Sequence, residues 1–268
     1  MSATRPLIPV LTYHSIDGSG SPVSIAPAEF RRHMHALAAA GWRTIGMDAF
    51  VHGHRDGGWP PRSFVLTFDD GYVNLVDHAL PAARDCGFHG TVFVAVDRAG
   101  GTMAGPGEPS WTPTAPLLDW IGLRDLAGAG WSIASHGCSH RRLPALARGD
   151  VADELTRSKA TIEDRIGAAV TALAYPYGAV TAEVERAAAE HYAAAFGTTL
   201  GYATPSSRAT AFERIDAYYL QGRAVDQLDG VQLRSYLALR RAGRALRSLA
   251  GAPSEAGTES YRSRRTPL

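Results

Sequence analysis

Cysteine is scarce in this chain of 268 residues, and its scarcity excludes two common ways of stabilising a fold. Only Cys86 and Cys138 occur, so there is no disulfide framework, and a structural zinc knuckle would need more ligands at closer spacing. The chain is nevertheless long enough to bury a large core, either as one barrel-type domain or as two smaller ones.

The chain also lacks a charge excess and a long apolar run. Its formal net charge is +1, which does not favour bulk nucleic-acid binding. No window approaches the ~18 uninterrupted apolar residues of a membrane span. The apolar run of the N-terminal MSATRPLIPVLTYHSI is short and interrupted by Pro9, so it is more typical of a first strand than of a secretory signal. We therefore expect a cytoplasmic protein, with no nucleic-acid partner.

Short apolar runs alternate with helical patterns, and this alternation predicts βα units around a parallel sheet. The candidate strands are residues 7–11, 42–47, 64–68, 91–96, 131–135, 171–175, 193–198 and 213–220. Helices are predicted between them, and Asp150 and Thr181 are candidate N-caps of two. So many units favour a single-domain α/β fold, a closed or nearly closed (β/α) barrel with about seven parallel strands, over a doubly wound open sheet.

Two segments stand apart from this pattern. Residues 99–116, AGGTMAGPGEPSWTPTAP, form a Gly/Pro-rich loop that is either a floppy insertion or a loop on the substrate side. From residue 231 onward eight arginines face two glutamates, a net charge of +6 that leaves −5 for residues 1–230. We predict a barrel over 1–230, a basic helix over 231–250 and a disordered tail over 251–268. The helix is expected to pack on the barrel, with peripheral contact to an anionic membrane as the alternative.

Polar residues follow four of the candidate strands. Because the C-terminal ends of parallel barrel strands share one face, the fold brings these distant segments together. The polar residues are His14 after the first strand, Asp69 and Asp70 after FVLTF, His136 and His140 after WSIAS, and Tyr177 after TALAY.

His136 and His140 are four residues apart, so in a helical turn both imidazoles can bind one ion. Together with one aspartate they leave positions open for water, as in hydrolytic metal centres. Asp69 and Asp70 lie side by side, and neighbouring side chains of an extended strand project to opposite sides. One carboxylate can therefore bind the metal while the other approaches its water. Cys138 is expected to point away as a packed thiol.

The order TFDDG, SHGCSH, AYPYG over residues 7–220 resembles the polysaccharide deacetylase family, carbohydrate esterase family four. The resemblance implies a deformed (β/α) barrel. It also implies that Asp69 is the general base, that Asp70, His136 and His140 bind the metal, and that the backbone N–H of Tyr177 stabilises the oxyanion.

The sequence departs from the family pattern in three places. Ala174 stands where many members have an arginine that steadies the base aspartate, and Gly137 replaces a Ser or Thr that could brace the loop. Many members take their general acid from a late histidine, but none follows His191 here.

Elimination among the ten histidines leaves one replacement for that acid. His33, His35, His78 and His191 are predicted on helices, His52 and His54 in a connecting loop, and His89 at the opposite face. LTYHSI resembles the motif of poly-N-acetylglucosamine deacetylases, which use this histidine as the acid, so His14 is our candidate.

The residues predict a metal-dependent hydrolase, for which we expect Zn²⁺, and the resemblance implies that it removes the N-acetyl group from an amino sugar in a glycan or glycoconjugate. Two alternatives stay open. One is de-N-acylation of a small or lipid-linked cytoplasmic amino sugar, and the other is a non-catalytic glycan-binding module.

Overall fold

The computed structural model describes residues 7–105 and 107–249. Its strands are β1 Val10–Tyr13, β2 Ser15–Ile16, β3 Ser24–Ile25, β4 Arg43–Thr44, β5 Ser63–Asp69, β6 Thr91–Val94, β7 Ser132–Ser135, β8 Ala172–Ala174, β9 Ala194–Leu200 and β10 Phe212–Asp216. Its α-helices are α1 Pro27–Ala39, α2 Met47–Asp56, α3 Leu80–Asp85, α4 Trp120–Gly128, α5 Arg148–Ile166, α6 Ala182–Ala189 and α7 Val231–Leu249. A π-helical turn, Leu75–Ala79, runs directly into α3.

Seven parallel strands close into a ring. Their order is β1-β10-β9-β8-β7-β6-β5, and β1 pairs with β5 as well as with β10. Leu11 of β1 lies opposite both Leu66 of β5 and Ile215 of β10, so no edge of the ring is left unpaired at this level. The predicted (β/α) barrel is confirmed, and the doubly wound alternative is wrong because its sheet would stay open.

Alternate side chains of each barrel strand face different layers, as the two-residue period of a strand requires. Leu66 and Ile215 pack in the layer that also contains Phe30 and Leu155 of the surrounding helices. The side chains at the alternate strand positions pack inside the ring, together with Phe50 of α2. That interior set contains Val10, Val65, Phe93, Ala134, Ala174, Phe196 and Phe212.

Local helix details correct several sequence expectations. His191, predicted on a helix, lies beyond the end of α6 at Ala189. α5 begins at Arg148 after Ala147, so Asp150 lies in its first turn and is not the N-cap. His52 and His54 lie within α2 and not in a loop. The candidate strand 42–47 overlaps the start of this helix, which begins at Met47 after Gly46. The Thr181 side chain does cap α6, accepting a hydrogen bond from the backbone N–H of Val184.

The basic helix α7 lies against the barrel. Leu233 and Leu237 are buried, and Arg241 lies 3.7 Å from Glu213 of β10. No helix in the described part of the chain is long and apolar enough to cross a membrane. The division into barrel, helix and tail stays a prediction, and the predicted tail lies outside the described residues.

Candidate active site

The interior face of the barrel strands continues directly into the polar residues at one mouth of the ring. Counting by twos, Val65 leads to Asp69, Val10 to His14, and Ala134 to His136. Asp69, His14 and His136 therefore meet at this mouth because they share the parity of the apolar interior.

Asp70, His136 and His140 form a buried cluster that could hold a metal ion. One donor atom from each lies within 4.8 Å of the others. The Asp70 Oδ1 atom is 3.6 Å from His136 Nε2 and 3.5 Å from His140 Nε2. This oxygen is buried and has no hydrogen-bond partner among the described residues, which fits a role as a metal ligand. A set of two imidazoles and one carboxylate suits a divalent ion with open coordination positions.

The tautomer of His136 fits this assignment. Its Nδ1 lies 2.7 Å from the carbonyl oxygen of Ala174, so Nδ1 carries the proton and Nε2 offers its lone pair to the cluster. Burial lowers the pKa of His136 to about 4, against the opposing effect of the Asp69 charge, so the imidazole is neutral at neutral pH.

Backbone strain is concentrated at this cluster. The φ values of Asp70, His140 and Tyr177 are 71°, 61° and 58°. In the described part of the chain, the one further non-glycine residue with a positive φ is Arg62. Left-handed backbone at such residues costs free energy and is typical of functional sites. The two aspartates therefore diverge because Asp70 has left the extended strand, and not through strand alternation alone.

The carboxylate of Asp69 is held by an arginine that sequence reasoning did not identify. Arg214 Nη1 and Nη2 donate to Oδ1 and Oδ2 of Asp69, each at 2.8 Å, and both side chains are almost completely buried. The Arg214 Nε–H donates to the carbonyl oxygen of Gly197 at 2.9 Å. Burial alone would raise the pKa of Asp69, but the guanidinium of Arg214 outweighs it and holds that pKa well below its usual range.

Arg214 replaces, from another strand, the arginine that is absent at Ala174. Arg214 is two residues after Phe212, which packs inside the ring. A charged residue at an interior position of a predicted strand was the available signal, because such a residue needs a buried partner.

The structure places His14 beside the same carboxylate. Its Nε2 lies 3.7 Å from Asp69 Oδ2, and its side chain is 19% exposed, compared with 3% for Asp69. His14 is therefore the more accessible of the two, which suits a group that meets a substrate.

The loop between the two histidines is braced by Glu154 of α5. The backbone N–H groups of Cys138 and Ser139 donate to Glu154 Oε2 at 2.6 and 3.1 Å, and the Ser139 hydroxyl donates to Oε1. A Cβ atom at Gly137 would lie 2.9 Å from that Oε2, and Gly137 has a φ of +75°. Glycine at this position thus makes room for a carboxylate that braces the loop in place of the missing hydroxyl. The Cys138 thiol packs against the α5 backbone, 3.4 Å from the carbonyl oxygen of Glu154.

Tyr177 follows β8 in the turn Pro176–Gly178, and its ring packs against the ring of His140 with centroids 4.6 Å apart. Its hydroxyl donates to Glu108 Oε2 at 2.6 Å. Glu108 belongs to the Gly/Pro-rich loop, so this loop lies on the active-site side of the barrel.

A parallel barrel with a buried Asp-His-His cluster, next to an aspartate paired with an arginine, is an arrangement that suits a metal-dependent hydrolase. Comparison with known proteins then assigns the family. The model of the family described as polysaccharide deacetylase matches residues 56–195, just over half of the chain. The chain belongs to the polysaccharide deacetylase family, a family of hydrolytic deacetylases, as its motifs predicted.

Individual relatives agree with this assignment. YxkH of Bacillus subtilis (strain 168), named as a polysaccharide deacetylase, is 27% identical over 182 residues, which are 68% of this chain and 60% of that protein. The chain therefore spans less than two thirds of that relative's length.

Solved structures share the fold. The deacetylase PplD of Streptococcus pyogenes, in complex with acetate, gives a TM-score of 0.70 at 20% identity, covering 80% of this chain and 93% of that chain. IcaB of Ammonifex degensii gives a TM-score of 0.70 at 20% identity, covering 83% and 97%.

Proposed function

We propose that this protein is a metal-dependent deacetylase that hydrolyses the N-acetyl group of an amino sugar in a glycan or glycoconjugate and releases acetate. The observation that carries the proposal is the pairing of two buried units in contact: the Asp70-His136-His140 cluster and the Asp69-Arg214 ion pair. Family membership supports the reaction class.

Asp70, His136 and His140 would hold the ion, for which we propose Zn²⁺. Two imidazoles and one carboxylate are typical of catalytic zinc. When bound, the ion supplies a Lewis acid that polarises the acyl carbonyl and acidifies water.

Asp69 is the proposed general base. Arg214 donates to both of its oxygens, which fixes the plane of the carboxylate and keeps it ionised before the reaction, so that a lone pair of Asp69 can accept a proton from the attacking water. His14, whose Nε2 lies 3.7 Å from Asp69 Oδ2, donates a proton to the departing amine nitrogen. The backbone N–H of Tyr177 donates to the oxygen of the acyl group as negative charge develops there.

The test is acetate release from a panel of N-acetylated glycans and small N-acetylated sugars, with the metal-loaded protein and after chelation. We expect release that chelator abolishes and added metal restores. Asp69→Asn should lower turnover by ~10²–10⁴-fold while metal content per chain stays unchanged. Turnover of Asp69→Asn near the wild-type value would contradict the assignment of the base.

A small or lipid-linked amino sugar is the second candidate substrate. The contacts of the Gly/Pro-rich loop favour this candidate. Glu108 of the loop contacts His140, and the carbonyl oxygen of Trp111 accepts a hydrogen bond from the Ser21 hydroxyl at 2.7 Å, so the loop connects the cluster with the 17–24 segment. A bridge of this kind restricts how much of a polymer can enter. Faster turnover on monosaccharide than on oligosaccharide substrates would support the second candidate, and the reverse order would support the glycan.

A lipid-linked substrate would give the basic helix a role at an anionic membrane surface. Co-sedimentation with anionic vesicles that is lost at high salt would support this, and no co-sedimentation at low salt would remove it. The departures from the family pattern at Ala174 and Gly137 would favour the non-catalytic alternative, but Arg214 pairs with Asp69 in place of the missing arginine and Glu154 braces the loop beside Gly137.

A further inference from the structure

The Gly/Pro-rich loop is anchored at both ends beside the strand that carries the aspartates. Leu118 N–H donates to the Gly71 carbonyl oxygen at 2.9 Å, and Leu117 N–H donates to that of Gly101 at 2.8 Å. The anchored loop places the side chain of Glu108, which is only 5% exposed, next to His140 of the Asp70-His136-His140 cluster. A buried carboxylate in a loop of this composition calls for a specific reason.

We propose that Glu108 is a positioning residue that orients His140 as a metal ligand. Glu108 Oε1 lies 3.4 Å from His140 Nδ1, while His140 Nε2 faces Asp70 Oδ1 at 3.5 Å. A carboxylate can only accept, so it keeps the proton on Nδ1 and leaves the Nε2 lone pair for the ion. This inference rests on the proposed metal-dependent function.

The two histidines are thus oriented by different parts of the chain. The Nδ1 of His136 meets a backbone carbonyl oxygen of β8, which is fixed by the barrel itself. His140 instead depends on a side chain from the loop. The metal site is therefore completed by a segment that the barrel does not contain, and the affinity for the ion is sensitive to where this loop lies.

The second carboxylate oxygen reinforces the arrangement. Glu108 Oε2 accepts the Tyr177 hydroxyl at 2.6 Å, and Arg98 Nη2 lies 3.5 Å from Oε1. Both groups hold the carboxylate in place from outside the cluster. A rival explanation is that Glu108 only tethers the loop, through Tyr177, without acting on His140.

The experiment measures metal affinity directly, without turnover. Metal-free wild type, Glu108→Ala and Glu108→Gln are titrated with Co²⁺, followed by its visible absorption, and with Zn²⁺ in competition with a chromophoric chelator. We expect Glu108→Ala to weaken binding by ~10–100-fold. Glu108→Gln should lose less, because its amide oxygen can still accept from Nδ1, and it should change the Co²⁺ spectrum. Glu183→Gln, on the exposed first turn of α6, is the matched control and should bind like the wild type.

Tyr177→Phe separates orientation from tethering. It removes the hydroxyl contact to Glu108 but leaves the carboxylate that faces His140, so it should lose clearly less metal affinity than Glu108→Ala. The proposal is overturned if Glu108→Ala and Glu108→Gln bind metal as tightly as the wild type, or if Tyr177→Phe reproduces the full loss. Wild type that binds no Co²⁺ or Zn²⁺ would instead overturn the proposed function.

Discussion

The buried pair between Arg214 and Asp69 gives the most discriminating prediction. Arg214→Met removes one partner of an ion pair whose side chains are 4% and 3% exposed, and this leaves a buried carboxylate without its counter-ion. Such a loss costs about 3–5 kcal/mol of unfolding free energy. Arg214→Lys keeps the charge but cannot donate to both oxygens of Asp69 and to the Gly197 carbonyl oxygen, so it should fall between the wild type and the Met variant.

The pair also fixes the proposed base, so turnover should fall with stability. We expect Arg214→Met to lower kcat by about 10²-fold or more, within the range that a general base contributes. Its metal content should not change, because the bonds that Arg214 donates go to Asp69 and Gly197 and not to the metal cluster.

The assays are urea unfolding of the metal-free protein, acetate release and metal analysis. Arg208→Met is the matched control, since Arg208 pairs with Glu185 at 2.9 Å but is 70% exposed, and its loss should cost no more than ~1 kcal/mol. The double variant Asp69→Asn with Arg214→Met should be more stable than additivity predicts, by ~1–3 kcal/mol. Additive effects, or a kcat of Arg214→Met within about threefold of wild type, would refute the reasoning, since 10²-fold is the smallest effect expected of the base.

Three further predictions follow from burial and backbone geometry. Gly137→Ala should destabilise the protein by ~1–3 kcal/mol, because its φ is +75° and a Cβ atom would meet a carboxylate oxygen at 2.9 Å; Gly18→Ala, with open space around it, should be neutral in urea unfolding. Burial lowers the pKa of His33 to about 4, so the unfolded chain takes up a proton below pH ~6.5 that the native state does not. Stability should therefore fall as pH drops from 6.5 to 4, by up to about 3 kcal/mol, and a pH series of unfolding curves should be flatter for His33→Asn; equal slopes would contradict this. Leu237→Ala, 2% exposed on α7, should cost ~2–4 kcal/mol, whereas Leu239→Ala, 73% exposed, should stay within ~0.5 kcal/mol; equal effects would mean that the helix does not pack as described.

Sequence reasoning located the barrel strands, because they depend on local patterns, and FVLTF, residues 64–68, predicts β5 Ser63–Asp69 to within one residue at each end. Other strand ends were wrong: β1 is Val10–Tyr13 and not 7–11, and Ala217–Leu220, at the end of the candidate strand 213–220, form a 3-10 helix. The meeting of Asp70, His136 and His140 could also be predicted, since the carboxyl ends of parallel strands must share a face.

The parts that were missed depend on contacts between distant segments. Arg214 is 145 residues from Asp69 along the chain, and no local pattern links the two. Glu108 lies in a loop whose composition gives no periodicity, so its position follows only from the anchors at Gly71 and Gly101. Strand alternation predicted that Asp69 and Asp70 diverge, but the left-handed backbone of Asp70 appears only in three dimensions.

The closure of the barrel between its first and last strands has a consequence for biosynthesis. His14 is contributed by the end of β1 and Arg214 by β10, and these strands are neighbours in the ring. The three proposed metal ligands are synthesised long before Arg214. A nascent or C-terminally nicked chain that lacks β10 would therefore contain every proposed metal ligand but not the arginine that pairs with Asp69, and the proposed deacetylation would begin only when the last strand is in place.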